Sequence, residues 1–220
     1  MSRLRLRPSP TAVHGQTRAY AERVDELVAL LRAELPAPAV AHGSPALVVL
    51  MGLPGVGKSH CARLLAARLG AAHVATDQLR SRLFIAASYA ELENATIFRC
   101  VEALVDRLLA ERHRVIVDAT NLVARNREPA VAAARRHAVP LAFVRVVADE
   151  PEIIARLAGR RAARAADDHS DADVRVYEQM KERAFEPPAG GYLELRNGER
   201  LADEIERVVR AVEQACASAI

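Results

Sequence analysis

The chain has 220 residues and a mass of 23.9 kDa, which is enough for one α/β domain with a full core and short for two. Hydrophobic residues make up 51% and charged residues 27%, so wholesale disorder is excluded. The 31 basic and 28 acidic residues give a net charge of +3, which permits an anionic ligand without requiring nucleic acid.

Two further features of the composition bear on location. The N-terminal residues are charged but have no apolar stretch behind them, and the longest apolar run, 46–51, is far too short to cross a bilayer. Three cysteines, Cys61, Cys100 and Cys216, are too few and too scattered for a disulfide framework or a zinc site. We therefore expect a cytoplasmic protein without a signal peptide or membrane span.

The first 45 residues differ in pattern from the rest of the chain. Residues 1–15 are rich in Arg and Pro, lack periodicity and are predicted to form a loose tail. Apolar residues recur at helical spacing over 16–35, which predicts an amphipathic helix that Pro36 and Pro38 end. Residues 36–45 follow as a linker, so we divide the chain into an N-terminal region, 1–45, and one domain, 46–220.

From residue 46 onward, apolar strands alternate with helical segments, as in a parallel sheet wrapped by helices. The predicted strands span 46–51, 73–75, 114–117, 141–147 and 192–195. The predicted helices span 60–69, 78–87, 90–111, 125–137, 151–165, 171–185 and 200–217.

A glycine-rich turn follows the first of these strands. Its sequence, GLPGVGKS, fits G-x-x-x-x-G-K-[ST] and lies between a buried strand and a helix. Backbone N–H groups of such a loop surround the β-phosphate of a nucleoside triphosphate, and the helix N-terminus adds partial positive charge. The predicted nucleotide-binding residues are Gly52, Leu53, Pro54, Gly55, Val56, Gly57, Lys58, Ser59 and His60.

Two of these residues have defined tasks, and one has two interpretations. Lys58 is expected to reach the β- and γ-phosphates. Lys58 and Lys181 are the two lysines of the chain, so 29 of the 31 basic residues are arginines. The planar guanidinium group of an arginine does not fit at position 58. The Ser59 hydroxyl is expected to bind Mg²⁺. His60 either lies near the α-phosphate or is only a helix residue. ATP and Mg²⁺ are the predicted ligands.

Two carboxylates stand where predicted strands end. Asp118 closes the strand over 114–117, where a P-loop enzyme holds magnesium through water; alternatively, it caps the next helix. Asp77 follows the strand over 73–75 and could take the proton from an acceptor hydroxyl, or it caps the helix that follows. Glu91, Glu93 and Glu102 have no evident partner, which predicts a solvated helix face.

Arginines cluster in the predicted helix over 151–165. Arg156 and Arg160 lie one turn apart, which is typical either of a solvated charged face or of a lid that neutralises the transferred phosphoryl group. The polar break over 167–170 suits a hinge between two helices. We therefore predict a small helical lid over about 151–186.

Taken together, these segments resemble the P-loop polynucleotide 5′-hydroxyl kinases. They also resemble the wider group of "AAA family ATPase" small kinases, with its zeta-toxin-like and chloramphenicol-phosphotransferase-like enzymes. The resemblance covers about residues 46–190. It is carried by GLPGVGKS, Thr76-Asp77-Gln-Leu-Arg80, Val-Ile-Val-Asp118-Ala-Thr-Asn121, Arg127, the arginines Arg156 and Arg160, Ser170-Asp-Ala-Asp, and Phe185-Glu-Pro-Pro.

The resemblance implies a role for each matching position. Asp77 is the general base, and Arg80 binds an acceptor-side phosphate or the transferred group. Asp118 and Asn121 shape the acceptor end, with Asp118 in the magnesium shell. The acceptor arginine is Arg127 or its near neighbour Arg125. The implied catalytic residues are thus Asp77, Lys58, Arg80, Arg156 and Arg160, and the acceptor-binding residues are Arg80, Asn121 and Arg127.

The expected protein is an ATP-dependent kinase with a parallel five-stranded sheet in the order 2-3-1-4-5. Its acceptor is a polynucleotide 5′-hydroxyl or, alternatively, a small molecule such as a sugar, a nucleotide-sugar or an antibiotic. Two other classes stay open: an ATPase without an acceptor, and a nucleotide-binding module that uses the helix over 16–35 for docking. The acceptor pocket depends on the segments 85–95 and 121–130, and the oligomeric state is open.

Overall fold

A computed structural model of the chain describes residues 24–35, 44–84, 91–163, 174–182 and 185–218. Within these ranges the side chains of Glu34, Leu92 and residues 160–163 lie outside the description. The predicted tail over 1–15, most of the linker and the polar break over 167–170 also lie outside the described residues.

Eight helices and five strands alternate along the described part of the chain. In chain order they are α1 Val24–Glu34, β1 Leu47–Met51, α2 Lys58–Leu69, β2 Ala72–Ala75, α3 Thr76–Leu83, α4 Glu91–Ala110, β3 Val115–Asp118, α5 Ala124–Arg136, β4 Leu141–Val147, α6 Glu150–Ala163, α7 Val174–Lys181, β5 Leu193–Arg196 and α8 Leu201–Ser218.

The five strands form one parallel sheet in the order β2-β3-β1-β4-β5. The predicted order is confirmed. Every residue of β1 and β3 is buried, because helices cover both faces of a parallel sheet. Leu50 pairs with Asp118 of β3, and Ala75 pairs with the same residue from the other side. The ends of β1, β2 and β3 therefore lie side by side at one edge.

Helix boundaries overturn two alternatives for the strand-end carboxylates. Asp77 lies in the first turn of α3, whose N-cap is Ala75, so the prediction that Asp77 caps this helix is wrong. Asp118 is the last residue of β3, whereas α5 begins six residues later with Val123 as its N-cap. The capping interpretation of Asp118 is wrong as well, so neither carboxylate serves as the N-cap of the helix that follows it.

Two hydrophobic cores lie on opposite faces of the sheet. Val49 and Val117 point into the core that α1, α4 and α5 cover. Val48 and Leu50 point into the other, which includes apolar residues of α2, α6 and α8. Cys61, Cys100 and Cys216 are buried free thiols, and burial raises the pKa of Cys61 to about 12, so this thiol stays protonated.

The described part of the N-terminal helix belongs to the first of these cores. Leu27, Val28 and Leu31 of α1 are buried and pack against α4, whereas Leu30 on the opposite face is 63% exposed. Arg32 also donates hydrogen bonds to Glu111 just beyond α4, at 2.8 and 2.9 Å. The apolar stripe of α1 thus packs on this chain's own domain. None of the described helices combines the length and apolarity that a membrane span needs.

Candidate active site

The loop between β1 and α2 depends on glycine where other segments approach its backbone. Gly57 caps α2 with a φ of 90°, and a Cβ on it would lie 2.1 Å from Asn197 Nδ2. A Cβ on Gly55 would lie 2.9 Å from Leu157 Cγ of α6. Any side chain at either position would force the loop away from its neighbours, so glycine keeps the cradle of N–H groups tight.

Lys58 begins α2 and reaches back across the loop. Its Nζ donates a hydrogen bond to the carbonyl of Leu53, at 2.9 Å. The ammonium group therefore lies over the concave side of the loop, where it adds a full positive charge to the partial charge of the helix N-terminus. This arrangement favours a bound phosphate group.

Asp118 is the buried charge at the centre of the sheet edge, with 4% of its surface exposed. Its Oδ2 lies 3.1 Å from Nε2 of His73, and Thr76 donates a hydrogen bond to its main-chain carbonyl at 3.3 Å. Burial works to raise the pKa of this carboxyl group. Hydrogen bonds from His73 and Ser59, with the charge of Lys58, outweigh it and lower the pKa, so the group stays ionised.

The pair formed by Ser59 and Asp118 suits a magnesium ion. Mg²⁺ prefers oxygen donors and is commonly held by a carboxylate, a hydroxyl, phosphate oxygens and water. Ser59 is near enough to Asp118 to contribute to the lowered pKa of that carboxyl group, so one ion could contact both residues. The described residues contain no group of three His, Cys, Asp or Glu side chains that could hold a metal ion.

Asp77 lies at the same edge as Asp118. Ala75, the last residue of β2, pairs with Asp118, and Asp77 follows it by two residues in the first turn of α3. Its side chain is partly buried. The loop, Asp118 and Asp77 therefore follow three adjacent strands of the sheet.

Arg80 and Glu93 form a buried ion pair between α3 and α4. Arg80 Nη2 also donates to Asn94 Oδ1, at 2.8 Å. Glu93 is only 1% exposed, so the prediction that it belongs to a solvated face is wrong, whereas Glu91 and Glu102 are exposed as predicted. The burial of Glu93 could not be predicted from the sequence, because its partner Arg80 lies on another helix and the local pattern around Glu93 does not show the pairing.

Asn121 and Arg127 are buried, and their side chains donate hydrogen bonds to main-chain carbonyls. Asn121 has a φ of 46° and donates from Nδ2 to the carbonyl of Leu50, at 2.9 Å. Arg127 donates to the carbonyls of Asn121 and Glu186, at 2.7 and 2.6 Å. Arg125 is exposed instead. The two candidates for the acceptor arginine thus differ sharply in environment.

Arg156 of α6 faces the glycine-rich loop. One guanidinium nitrogen, Nη2, donates to Glu152 at 2.6 Å, and the other, Nη1, is buried without a hydrogen-bond partner among the residues that the structure describes. This Nη1 lies 3.8 Å from the point where a Cβ on Gly57 would stand. A buried donor of this kind is costly unless a ligand satisfies it. Arg160 belongs to the same helix, and its side chain lies outside the description; His60 is an exposed residue of α2.

Sequence reasoning missed two residues of this site. His73 holds the Asp118 carboxylate, and Asn197, directly after β5, donates from Nδ2 to the carbonyl of Val56 at 2.8 Å. The main-chain N–H of Asn197 also bonds Val147 at the end of β4. A polar residue at the carboxyl end of the last strand was the available signal for Asn197.

Comparison with known proteins places this site in a group. A family model described as AAA domain matches residues 47–188, and no curated protein matches the chain. The solved structure of Chaetomium thermophilum Kti12 with ADP-AlF3 is 22% identical, has a TM-score of 0.63, and aligns over 77% of this chain and 98% of its own.

Two further solved structures share the fold. The Mycobacterium tuberculosis APS kinase CysC with AMPPNP and APS is 20% identical, has a TM-score of 0.56, and aligns over 78% of this chain and 99% of its own. A gluconokinase from Sinorhizobium meliloti is 17% identical, has a TM-score of 0.57, and aligns over 80% and 97%. With the family match, the strand order and the glycine-rich loop, the chain belongs to the AAA domain family and has the fold of the P-loop kinases.

Proposed function

We propose that this chain is an ATP-dependent kinase that transfers the γ-phosphoryl group to a 5′-hydroxyl group of a polynucleotide. The observation that carries the proposal is that three functional groups lie at the carboxyl ends of three adjacent strands. These groups are the loop after β1, Asp118 at the end of β3 and Asp77 after β2. These are a phosphate cradle, a metal-binding carboxylate and a candidate base, in the order in which phosphoryl transfer needs them.

The triphosphate side of the site rests on the loop, Lys58 and α6. Residues 52–60 would hold the phosphates, and Lys58 would neutralise the β- and γ-groups. Ser59 and Asp118 would hold Mg²⁺, which supplies further positive charge against the phosphate oxygens. The buried Nη1 of Arg156 supports a phosphate contact from the lid helix, and Arg160 is proposed to act beside it.

The acceptor side rests on Asp77. Its carboxylate would take the proton of the acceptor hydroxyl while that oxygen bonds to the γ-phosphorus. The bond between the γ-phosphorus and the bridging oxygen then breaks, and ADP leaves. Arg80, Asn121 and Arg127 would shape the acceptor end of the site. Arg80 is held by its ion pair with Glu93, and Asn121 and Arg127 are held by hydrogen bonds to main-chain carbonyls.

A transfer assay tests the proposal. The wild-type chain is incubated with γ-labelled ATP, Mg²⁺ and DNA or RNA oligonucleotides that carry a 5′-hydroxyl group. We expect label on the oligonucleotide and a loss of about 100-fold or more in Asp77→Asn, because the general base is gone. Asp203→Asn, which changes an exposed carboxylate on α8, should keep the wild-type rate.

The same assay separates the alternatives. If label is transferred only when small molecules replace the oligonucleotide, the chain is a kinase and its acceptor is not a polynucleotide. Steady hydrolysis without any acceptor would favour an ATPase, and binding without turnover would favour a nucleotide-binding module. Equal rates for Asp77→Asn and wild type would remove Asp77 as the base.

A further inference from the structure

A cavity of about 240 Å³ lies between α4 and α5, on the face of the sheet opposite α2. One stripe of α4 lines it at helical spacing with Phe98, Val101 and Val105, and α5 lines it with residues from Arg125 to Ala133. The volume is below the roughly 300–1,000 Å³ of sites for drug-sized ligands, so it suits one small ring system.

The lining of the cavity includes residues at the end of the site where the acceptor would react. Thr76 and Ala119 are among its lining residues, and they are the immediate chain neighbours of Asp77 and Asp118. Asn121 lines it too. A ligand in the cavity would therefore lie beside the proposed base, away from the loop that holds the triphosphate.

The floor and one wall of the cavity are apolar. Val49 and Val117 of the sheet form part of the lining, and Ala130 and Ala133 of α5 complete the apolar surface. Phe98 lines the cavity although 45% of its surface is exposed. A polyol would leave hydroxyl groups unpaired over such a floor, whereas a flat heterocycle would stack on the ring.

Polar groups of the lining match the edge of a nucleobase. Arg125 and Asn126 offer donors and Glu102 offers acceptors. Pro129 lies inside α5 and has no N–H, so the carbonyl of Arg125 lacks its usual partner four residues on. An apolar floor with mixed donors and acceptors is the environment that binds bases in single-stranded recognition.

We propose that this cavity binds the nucleobase of the nucleotide whose 5′-hydroxyl group accepts the phosphoryl group, with Phe98 as the stacking surface. This inference rests on the proposed function and adds a subsite to it. It also gives Arg125 a contact with the acceptor.

The test compares two oligonucleotides that both carry a 5′-hydroxyl group, one with an intact terminal nucleotide and one with an abasic terminal residue. We expect wild type to prefer the intact end by about 10-fold in kcat/KM, in line with the loss of one stacked base. Phe98→Ala should reduce the preference to near unity, and Phe98→Tyr, which keeps the ring, should preserve it. Leu30→Ala changes an exposed apolar residue on α1 and serves as the control.

Nucleoside binding separates failure of this inference from failure of the proposed function. Equal rates on both oligonucleotides, or an unchanged preference in Phe98→Ala, would overturn the subsite while the kinase stands. If no oligonucleotide is labelled, saturation-transfer NMR with adenosine, cytidine and methyl riboside decides. A nucleoside signal that weakens in Phe98→Ala and is absent for methyl riboside would support a base site, and equal signals would reject it.

Discussion

Asp118, Arg80 and Arg127 are charged side chains at the site that are almost wholly buried, and each is held by a different kind of partner. Asp118 contacts His73, Arg80 forms an ion pair with Glu93, and Arg127 bonds two main-chain carbonyls. A buried charge without such a partner would cost several kcal/mol. These residues therefore fix the positions of segments around the site as much as they supply charge.

The ion pair between α3 and α4 gives a prediction at this scale. Glu93→Gln removes the buried negative charge that contacts the guanidinium of Arg80, so the free energy of unfolding should fall by about 3 kcal/mol. Chemical denaturation measures this change. Glu91→Gln is the matched control, because Glu91 lies two residues away in the first turn of the same helix and is exposed. A similar small effect for both variants would mean that the buried pair adds nothing to stability.

At the scale of elements, α6 owes its position to apolar contacts with the glycine-rich loop. Ile153 and Leu157 are buried in the second core and stand against Gly55, and Arg156 lies between them on the helix. The apolar pair thus brings the guanidinium to the loop. On the other face of the sheet, buried leucine side chains hold α1 against α4 in the first core.

We expect α1 to be part of the domain in solution. Leu31→Ala should lower the free energy of unfolding by about 2–4 kcal/mol, because it removes a buried side chain from the first core. Leu30→Ala should change it by less than about 0.5 kcal/mol, since that side chain faces solvent. If Leu31→Ala were as harmless as Leu30→Ala, α1 would not contribute to the stability of the domain.

At the scale of the whole molecule, the site joins segments that are far apart in sequence. Asn197 bonds Val56 across 141 positions, and the fold brings β1, β3 and β2 to one edge. Ligand binding at that edge should therefore stabilise the entire domain rather than one loop.

Thermal unfolding with Mg²⁺ and AMPPNP tests this expectation. At about 100 times the Kd, the ligand should add about 2.7 kcal/mol and raise Tm by roughly 5–10 °C. Gly57→Ala should abolish the shift, because its Cβ would collide with Asn197. Gly190→Ala, whose Cβ would meet nothing within 4 Å, should retain it.

Lys58→Ala adds no bulk and should also lose most of the shift, which separates a lost charge from a distorted loop. A full shift in Gly57→Ala would show that the loop tolerates a side chain and that the nucleotide is held elsewhere.

The features that could be predicted from the sequence are those that depend on a local pattern of residues. Strands β1 and β3 were predictable because both faces are apolar, and the loop was predictable because its residues and its place between strand and helix agree. The pairing of Glu93, the contact of His73 with Asp118 and the contact of Asn197 with Val56 were not. Each depends on which segments meet in space, and an isolated Glu, His or Asn has the same local pattern on a solvated surface.

The segment that follows α7 has a consequence for how this domain could be rebuilt. The N–H of Glu186 bonds the carbonyl of Leu122, and the Glu186 side chain accepts a hydrogen bond from the N–H of Ala124. Glu186 therefore anchors the chain beside the start of α5, and the N–H of Asn197 bonds the carbonyl of Val147, which anchors the chain at the end of β4. Between these two anchors the chain contributes Ile153, Leu157 and Tyr177 to the second core. We expect a replacement segment grafted between these anchors to leave the sheet edge intact only if it keeps these three apolar side chains.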